Sequence, residues 1–440
     1  MKLPSYKNKN ILILGLGLLG RGVKDAIFFA EKGANVTVTD LKTKEELKES
    51  IDKLKKYNIK YTLGEHKDTD ILNADLIIRN AGIPKNSKYL KLAKKNNIPI
   101  DMDESLFAKY CPCPIIGITG TRGKTTTAYL TYEILKDVFT KKNIYIAGNI
   151  QGVATLPLLD QVTKNDIVIL ELSSWQLQGF EAKKISPRIS VVTNIYEDHL
   201  NSYKNMAEYI KDKITIFKYQ KKDDIVILNK KNAQTKKMAK LASSNITWYS
   251  DKDTPPDWQT KLQGKHNQEN IAAALAIGKT LGLTNANMKN SIENFKGVPH
   301  RQEIVRIINE ITFINDTTST TPIAGQKALE SFNNPIILIA GGATKNLDLS
   351  DYARDISKKV KAVILLNGTA TPELEKDIIK FGGKNLIILK TDNLEEAIKK
   401  AYSISLPRDY VLLSPGCASF GLFKNEFDRG DQFTKIVNQL

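Results

Sequence analysis

Short apolar runs alternate with longer amphipathic stretches through most of the chain. The short runs predict buried strands, and the longer stretches predict helices. In the first part of the chain the predicted strands cover residues 11–14, 35–39, 75–79 and 98–101, and a predicted helix covers 23–32. This order of elements is typical of βαβ units with a parallel sheet. We place the end of this first unit near Tyr110.

Two further segments repeat the alternation. In the second, the predicted strands are 115–118, 143–147, 167–171, 189–193 and 225–228, and the predicted helices are 125–135 and 269–281. In the third, the predicted strands are 312–315, 336–340, 362–366, 385–389 and 411–414. The chain is therefore predicted to be an α/β protein with three consecutive domains, at residues 1–110, 111–297 and 298–440.

Composition agrees with a folded protein of several domains. The 440 residues are 41% hydrophobic and 26% charged, and no run of about 18 apolar residues predicts a membrane span. The first ten residues have no apolar core typical of a secretory signal. The three cysteines, Cys111, Cys113 and Cys417, form no disulfide framework, so we expect a reducing, cytoplasmic location.

The net charge of +17 raises the alternative of nucleic-acid binding. The lysines, however, are scattered in pairs beside acidic or polar residues, and they form no stripe interleaved with aromatic residues. We therefore expect no nucleic-acid partner. The charge can instead attract anionic small molecules.

The segment GLGLLG, residues 15–20, follows the first predicted strand and opens the first predicted helix. Glycines at this spacing allow a tight turn and the close approach of a diphosphate to the helix N-terminus. Asp40 ends the next predicted strand, where dinucleotide-binding proteins carry an acidic residue. Taken alone, this motif favours a nicotinamide-dependent oxidoreductase; the alternative is a turn that needs glycine only for packing.

A second glycine loop, GITGTRGKTTT at 117–127, resembles a P-loop but departs from its usual spacing, because Ile118 stands where the first glycine should be. Residues 120–123 still offer backbone N–H groups between a strand and a helix. Lys124 can reach phosphate oxygens, and Thr125 can bind Mg²⁺. The loop therefore predicts nucleotide-phosphate binding. The three domains are accordingly interpreted as a Rossmann-like domain, a P-loop ATPase-like parallel-sheet domain and a second Rossmann-like domain.

Polar side chains follow two strands of the second unit. Glu171 ends the strand at 167–171, and His199 lies just after the strand at 189–193. A carboxylate and an imidazole beside a P-loop suit a divalent metal that bridges ATP and an acceptor. A lone histidine after a strand is more often a hydrogen-bonded polar residue, so the metal site is a hypothesis.

Further polar groups lie at the ends of predicted elements. These are GKHN at 264–267 with Asn270, GVPHR at 297–301, and NDT at 315–317.

Together these motifs resemble those of the Mur ligases, the ATP-dependent amino-acid ligases of peptidoglycan synthesis. The motifs with counterparts in that family, in the same order, are TGTRGKT, ELSSWQL, TNIYEDHL, GKHNQEN, GVPHRQE, FINDTTSTTP and LLSPGCASFGLFKNEFDRGDQF. Within the family the chain is most similar to the ligases that add glutamate to UDP-N-acetylmuramoyl-L-alanine. The resemblance spans the whole chain.

The resemblance implies a role for each domain. The first would bind the uridine diphosphate and sugar of UDP-N-acetylmuramoyl-L-alanine through Leu18, Leu19, Asp40, Leu41, Gly82, Asn149 and His199. The ATP-binding residues would be Gly120, Thr121, Arg122, Gly123, Lys124, Thr125, Thr126, Asn267, Asn270, Arg301 and Asp316. The incoming amino acid would contact Thr320, Lys345, Ser419 and Phe420.

The implied reaction transfers a phosphoryl group from ATP to the alanine carboxylate, and the amine of the amino acid then attacks the acyl phosphate. The implied catalytic residues are Lys124, Glu171, His199 and Lys213. The implied Mg²⁺ ligands are Thr125, Glu171, His199 and Lys213 as a carbamate formed with CO₂. The alternative for Lys213, which lies beside an apolar helix stripe of Ile210, Ile214 and Phe217, is a solvated helix lysine.

Three positions depart from the family pattern. Arg122 replaces a usual asparagine, Thr318 replaces the lysine common in D-glutamate enzymes, and Glu426-Phe427 stands where an aromatic residue usually precedes an acid. D-glutamate is the leading acceptor, while L-glutamate, another amino acid, or another ligase of the superfamily such as folylpolyglutamate synthase remain alternatives. We expect a monomer.

Overall fold

The computed structural model describes residues 3–17, 20–150, 153–197, 203–262, 264–344, 347–382 and 385–440. The chain divides into two compact units, Met1–Gln259 with Lys265–Glu293 and Thr260–Gly264 with Asn294–Leu440. Within these described ranges the first unit holds two parallel sheets, and the second unit holds one mixed sheet. None of the described helices is long and apolar enough to cross a membrane.

The first sheet has its most buried strand at its centre. Its described strands are β1 (Asn10–Leu14), β2 (Asn35–Asp40), β3 (Ile59–Leu63), β4 (Leu76–Arg79) and β5 (Ile100–Asp101), and its helices are α1 (Arg21–Glu31), α2 (Lys48–Asp52), α3 (Asp68–Leu72), α4 (Lys88–Lys95) and α5 (Asp103–Tyr110). The strand order is β3-β2-β1-β4-β5, and all neighbours are parallel. The order reverses between β1 and β4, so the loops after these two strands lie at the point where such sheets bind ligands.

The second sheet is also parallel, in the order β11-β10-β9-β6-β8-β7. These labels denote β6 (Ile115–Thr119), β7 (Ile144–Gly148), β8 (Ile167–Glu171), β9 (Ile189–Val192), β10 (Ile225–Asn229) and β11 (Asn245–Tyr249). The accompanying helices are α6 (Lys124–Val138), α7 (Ser174–Lys183), α8 (Met206–Lys218), α9 (Ala233–Ala239), α10 (Lys265–Thr280) and α11 (Asn285–Asn294), with short 3₁₀ helices at Leu156–Asp160 and Asp251–Asp253. Every residue of β6 and β8 is buried, as expected for strands covered by helices on both faces.

The two sheets of the first unit share one apolar core. Phe29 from α1, Phe107 from α5, Phe180 from α7 and Phe217 from α8 are all fully buried in the same cluster. Because this cluster is continuous, the ends of β1 and β8 are held in one rigid frame.

The sheet of the second unit is parallel except for one edge hairpin. Its strands are β12 (Glu303–Ile308), β13 (Ile311–Asn315), β14 (Ile336–Gly341), β15 (Val360–Leu366), β16 (Ile387–Thr391) and β17 (Tyr410–Leu413), and its helices are α12 (Pro322–Glu330), α13 (Ser350–Lys359), α14 (Thr371–Lys380), α15 (Leu394–Ile404) and α16 (Glu426–Gln439). The order is β12-β13-β17-β14-β15-β16, and β12 pairs antiparallel to β13. Apolar clusters cover both faces of this sheet.

The predicted α/β class and the three consecutive sheets are confirmed, and each strand predicted from the pattern has a counterpart in the structure. Three strands were not predicted, namely β3, β11 and β12, and each lies at an edge of its sheet. Their side chains are mostly exposed or half-buried, so they lack the apolar run that marks an inner strand. The domain boundaries at 110/111 and 297/298 stay predictions.

Candidate active site

The loop between β6 and α6 depends on two glycines that have no room for a side chain. A Cβ at Gly120 would lie 1.9 Å from Thr193 Oγ1, and a Cβ at Gly123 would lie 2.1 Å from Asn270 Oδ1. Both glycines also have positive φ, which other residues rarely adopt. The glycines at 120 and 123 therefore allow β9 and α10 to approach the loop closely.

Hydrogen bonds from the end of β9 hold this loop in shape. The Thr121 backbone N–H donates to the Asn194 carbonyl at 2.8 Å. The Arg122 backbone N–H donates to Asn194 Oδ1 at 2.9 Å, and Thr193 Oγ1 donates to the Arg122 carbonyl at 2.6 Å. The loop is thus preorganised by a neighbouring strand, which keeps the cost of ordering it on binding low.

Lys124 opens α6 and lies across the loop, where its Nζ donates to the Thr121 carbonyl at 3.0 Å. Lys124, Thr125 and Thr126 are half-buried, and they stand in the first turn of the helix, where backbone N–H groups lack helical partners. Asn270 of α10 donates to Asn267 Oδ1 at 3.1 Å. Since Asn270 also contacts Gly123, the structure brings these predicted ATP-binding residues of the first unit together.

Lys213 of α8 points into the protein. Its side chain is buried, with the whole residue 2% exposed, and its Nζ donates to the Gly120 carbonyl at 2.8 Å. The ammonium also lies 4.8 Å from the centre of the Tyr209 ring. The alternative of a solvated helix lysine is therefore wrong, and the lysine reaches the same glycine loop as Lys124.

Glu171 ends β8 with its side chain buried. Its Oε1 accepts a hydrogen bond from Asn149 Nδ2 at 3.0 Å, while its buried Oε2 has no hydrogen-bond partner among the described residues. An unpartnered buried carboxylate oxygen is costly unless a cation or donor meets it. A carboxylate oxygen is a ligand that a hard cation such as Mg²⁺ prefers, so Glu171 Oε2 fits a role as one Mg²⁺ ligand. Among the described residues no three His, Cys, Asp or Glu side chains form a metal cluster, and His199 lies outside the residues that the structure describes.

The glycine turn after β1 is held by Asp40. Asp40 Oδ2 accepts from the Gly17 backbone N–H at 3.0 Å, and Oδ1 accepts from the Lys42 backbone N–H at 2.9 Å. Leu41 beside it is 62% exposed, so it is available to a ligand. In the loop after β4, the Gly82 backbone N–H donates to Asn80 Oδ1 at 3.0 Å.

Gly17 follows β1 and Gly82 follows β4, the two strands at the switch point, whereas Asp40 and Leu41 lie at the end of the neighbouring β2. Their predicted contact with the uridine diphosphate stays a prediction. Leu18 and Leu19 lie outside the described residues.

Sequence reasoning missed Arg21, the first residue of α1. Its guanidinium donates to Asn149 Oδ1 at 3.1 Å and lies 3.7 Å from Glu104 Oε1. The sequence feature that could have indicated Arg21 is its position directly after Gly20, the last glycine of the turn. That position by itself predicts only the start of a helix.

In the second unit, Asp316 follows β13 and is buried. Its Oδ2 accepts from Ser319 Oγ at 2.5 Å and Ser414 Oγ at 2.8 Å, and its Oδ1 accepts from the Gln302 backbone N–H. Burial raises the pKa of Asp316 to about 6, although these hydrogen bonds oppose the rise. Arg301 is exposed.

The predicted amino-acid contacts lie after β13, β14 and β17. Ser419 is buried, and its Oγ has no hydrogen-bond partner among the described side chains and backbone. Phe420 beside it is 54% exposed, and Thr320 lines a small cavity with Ala343. Lys345 lies outside the described residues.

The buried Arg429 of α16 was not predicted as a site residue. Its guanidinium donates to Thr317 Oγ1 at 2.9 Å and to the Thr317 carbonyl at 3.0 Å. Thr318, one of the departures from the family pattern, donates through Oγ1 to the His300 carbonyl at 2.8 Å. Arg429 therefore braces the loop after β13, which carries Asp316 and Thr320.

Three family models match the chain in the order of its sheets. They are the Mur ligase MurD-like N-terminal domain at residues 9–101, the Mur ligase middle domain at 118–261, and the Mur ligase glutamate ligase domain at 300–417. Among curated relatives, the UDP-N-acetylmuramoylalanine--D-glutamate ligase of Roseiflexus sp. (strain RS-1) is 38% identical over 98% of each chain. The enzyme of the same name from Borreliella afzelii (strain PKo) is 38% identical over 100% of each chain. The chain belongs to the Mur ligase family.

Solved structures share the fold. The UDP-N-acetylmuramate-alanine ligase MurC of Thermotoga maritima has a TM-score of 0.58 at 17% identity, and covers 98% of this chain and 100% of its own. The MurF ligase of Thermotoga maritima, solved in complex with ADP, has a TM-score of 0.55 at 18% identity, and covers 98% of this chain and 96% of its own.

The raised pKa of Asp316 predicts a pH dependence of stability in the second unit. The folded-state pKa of about 6 lies above the value of about 3.9 in an unfolded chain, so the folded state binds the proton more tightly. The stabilisation from this proton is full below about pH 4 and is lost as the pH rises through about 6. The change in the free energy of unfolding is on the order of 3 kcal/mol. We expect Asp316→Asn to remove most of this loss. Hydrogen exchange of β13 and β17, corrected for the intrinsic rate, measures it from about pH 4 to about pH 7.

The exposed Asp351→Asn in α13 is the matched control, since Asp351 is 70% exposed at its side chain. Equal pH dependence in wild type and Asp316→Asn would contradict the prediction.

Proposed function

We propose that this chain is an ATP-dependent, ADP-forming ligase that adds D-glutamate to UDP-N-acetylmuramoyl-L-alanine in peptidoglycan precursor synthesis. One observation carries the proposal. Lys124 and Lys213 both reach the glycine loop after β6 in a chain whose curated relatives, matched end to end, are named D-glutamate ligases. ATP, UDP-N-acetylmuramoyl-L-alanine and glutamate would be the substrates, and we expect the enzyme to act as a cytoplasmic monomer.

The loop after β6 would bind the phosphates of ATP mainly through the backbone N–H groups of the first turn of α6, because the N–H groups of Thr121 and Arg122 already donate to Asn194. Lys124, which now donates to the Thr121 carbonyl, would turn to the transferring phosphoryl group and offset its charge. An oxygen of the alanine carboxylate would attack the γ-phosphorus of ATP, so that ADP leaves and an acyl phosphate forms. The amine of the amino acid then attacks the carbonyl carbon, and phosphate leaves.

Glu171 would hold Mg²⁺ with its unpartnered Oε2, together with Thr125 and, by family position, His199. The bound metal would supply positive charge next to the phosphates. We also propose that Lys213 is a carbamate, which its amine would form with CO₂ with release of one proton. The product is an anion whose oxygens can serve a metal, and it would replace a buried cation.

The first sheet would bind the uridine diphosphate at the turn that Asp40 holds, with Leu41 exposed beside it and Gly82 and Asn149 near the same edge. In the second unit the unpartnered Ser419 Oγ supports a site for a ligand acceptor such as a carboxylate oxygen. L-glutamate is the alternative acceptor. Thr318 stands where the D-glutamate enzymes commonly carry a lysine, so this chain has one cation fewer at that position.

Lys124→Ala is expected to lower kcat by about a hundredfold or more while the fold is retained, because a preorganised cation is lost from the phosphate site. Phosphate release at saturating substrates measures the change. The matched control is Lys136→Ala, an exposed lysine near the other end of α6. Near-wild-type turnover of a folded Lys124→Ala enzyme would refute the phosphate role.

Lys213→Ala is expected to lower kcat by a factor on the order of a hundred and to abolish a carbamate signal in ¹³C NMR of protein in labelled bicarbonate. Lys211→Ala is the control, because Lys211 lies on the same helix and is exposed. A wild-type spectrum without a carbamate signal would overturn the carbamate proposal, and full activity of Lys213→Ala would overturn the catalytic one.

The acceptor is tested with D-glutamate, L-glutamate, D-aspartate and D-lysine at matched concentrations, with UDP-N-acetylmuramoyl-L-alanine, ATP and Mg²⁺. We expect D-glutamate to couple at least about tenfold faster than the others, a difference of about 1.4 kcal/mol in transition-state binding. Rapid coupling of another amino acid with D-glutamate inert would reject the D-specific assignment and leave the ligase assignment standing.

A further inference from the structure

Arg21 joins the glycine turn of the first sheet to the carboxylate of the second. It opens α1 directly after Gly20, and its guanidinium donates to Asn149 Oδ1 at 3.1 Å. Asn149 follows β7, and its Nδ2 donates to Glu171 Oε1 at 3.0 Å. Three side chains from three elements thus form one hydrogen-bonded chain that ends at the carboxylate with the free Oε2.

The donors and acceptors in this series of hydrogen bonds permit only one orientation of the Asn149 side-chain amide. The guanidinium can only donate and the ionised carboxylate can only accept, whereas an asparagine amide has one end of each kind. Arg21 therefore fixes the oxygen of Asn149 towards α1, and the nitrogen must face Glu171. With Oε1 occupied by this donor, Glu171 presents Oε2.

The Arg21 guanidinium also forms an ion pair with a buried carboxylate, that of Glu104. Glu104 Oε1 lies 3.7 Å from the guanidinium, is fully buried, and accepts a hydrogen bond from Gln176 Nε2 of α7. The Arg21 side chain is 19% exposed, whereas Asn149 is an exposed residue. Without Arg21, Asn149 would keep Glu171 as its one side-chain hydrogen-bond partner among the described residues, and it would gain rotameric freedom.

We propose that Arg21 is a positioning residue that orients Asn149, and through it Glu171, for cation binding, so that the turn of the first sheet and the metal-nucleotide site are linked by one side chain. The proposal deepens the proposed function, on which its assignment of Glu171 to a cation rests. It adds a residue whose contacts are with Asn149 and Glu104 and which would act on the cation site only through Asn149. A guanidinium suits this task better than an ammonium, because its planar fork serves Glu104 and Asn149 at once.

A double-mutant cycle tests the proposal with Mn²⁺ as the probe, titrated by electron paramagnetic resonance into the full chain with saturating ADP. Arg21→Leu and Asn149→Ala are each expected to weaken Mn²⁺ binding by about 10- to 100-fold, as loss of a hydrogen bond to a charged group should. If Arg21 acts through Asn149, adding Arg21→Leu to Asn149→Ala changes Mn²⁺ affinity by less than about twofold.

Lys24→Leu is the control, since Lys24 is an exposed cation one turn further along α1, and we expect Mn²⁺ affinity within about twofold of wild type. Where Arg21→Leu does not fold, Arg21→Lys replaces it; the lysine keeps a charge near Glu104 but lacks the fork, so Mn²⁺ binding should still weaken by about tenfold.

Independent effects of the two substitutions, or unchanged Mn²⁺ affinity in Arg21→Leu, would overturn the proposal. So would a wild-type protein that binds no Mn²⁺ with ADP. The cycle is separate from the test of the proposed function, because a protein that ligates none of the amino acids offered can still show the expected coupling in Mn²⁺ affinity.

Discussion

The close approach of β9 and α10 to the loop after β6 is the constraint on which the first unit depends. At Gly120 and Gly123 a single added carbon would overlap Thr193 or Asn270. Because the neighbours come so close, their side chains and carbonyls can hold the loop through short hydrogen bonds. A loop held in this way has a fixed shape before any ligand arrives, so the start of α6 and its backbone N–H groups are preorganised, which is the condition for strong electrostatic stabilisation.

The same loop collects charges that a folded protein would otherwise avoid burying. Lys213 is almost wholly buried against the Gly120 carbonyl, and Glu171 is buried with one oxygen that has no partner in the described part of the chain. Burying such groups costs free energy unless partners meet them. Charges kept at this cost in one place are typical of sites that bind or react with other charges. In the second unit, by contrast, the buried Arg429 is satisfied by the backbone and hydroxyl of Thr317, which is the pattern of a structural brace.

Two glycine turns in one unit show how little a local motif decides. Both follow a strand and open a helix, yet the turn after β1 is held by a carboxylate, Asp40, while the loop after β6 is held by Asn194 and lies beside two lysines. The first turn therefore has a carboxylate within hydrogen-bond distance and the Arg21 guanidinium at its end, whereas the second has two ammonium groups bonded to its carbonyls. The surroundings of each turn, and not its glycines, therefore distinguish the two turns.

The sequence by itself determined the α/β class, the three sheets and the inner strands, because buried parallel strands require continuous apolar runs that are visible without a structure. It also located the glycine loop and Lys124, since these depend on local spacing. The sequence did not predict the edge strands β3, β11 and β12, because an edge strand has few buried positions and therefore no continuous apolar run. Only the tertiary structure decided that Lys213 points inward, that Glu171 keeps a free oxygen, and that Arg21 meets Asn149 from 128 residues away. These facts depend on which helix packs against which strand end, and such packing arises from contacts between distant parts of the chain.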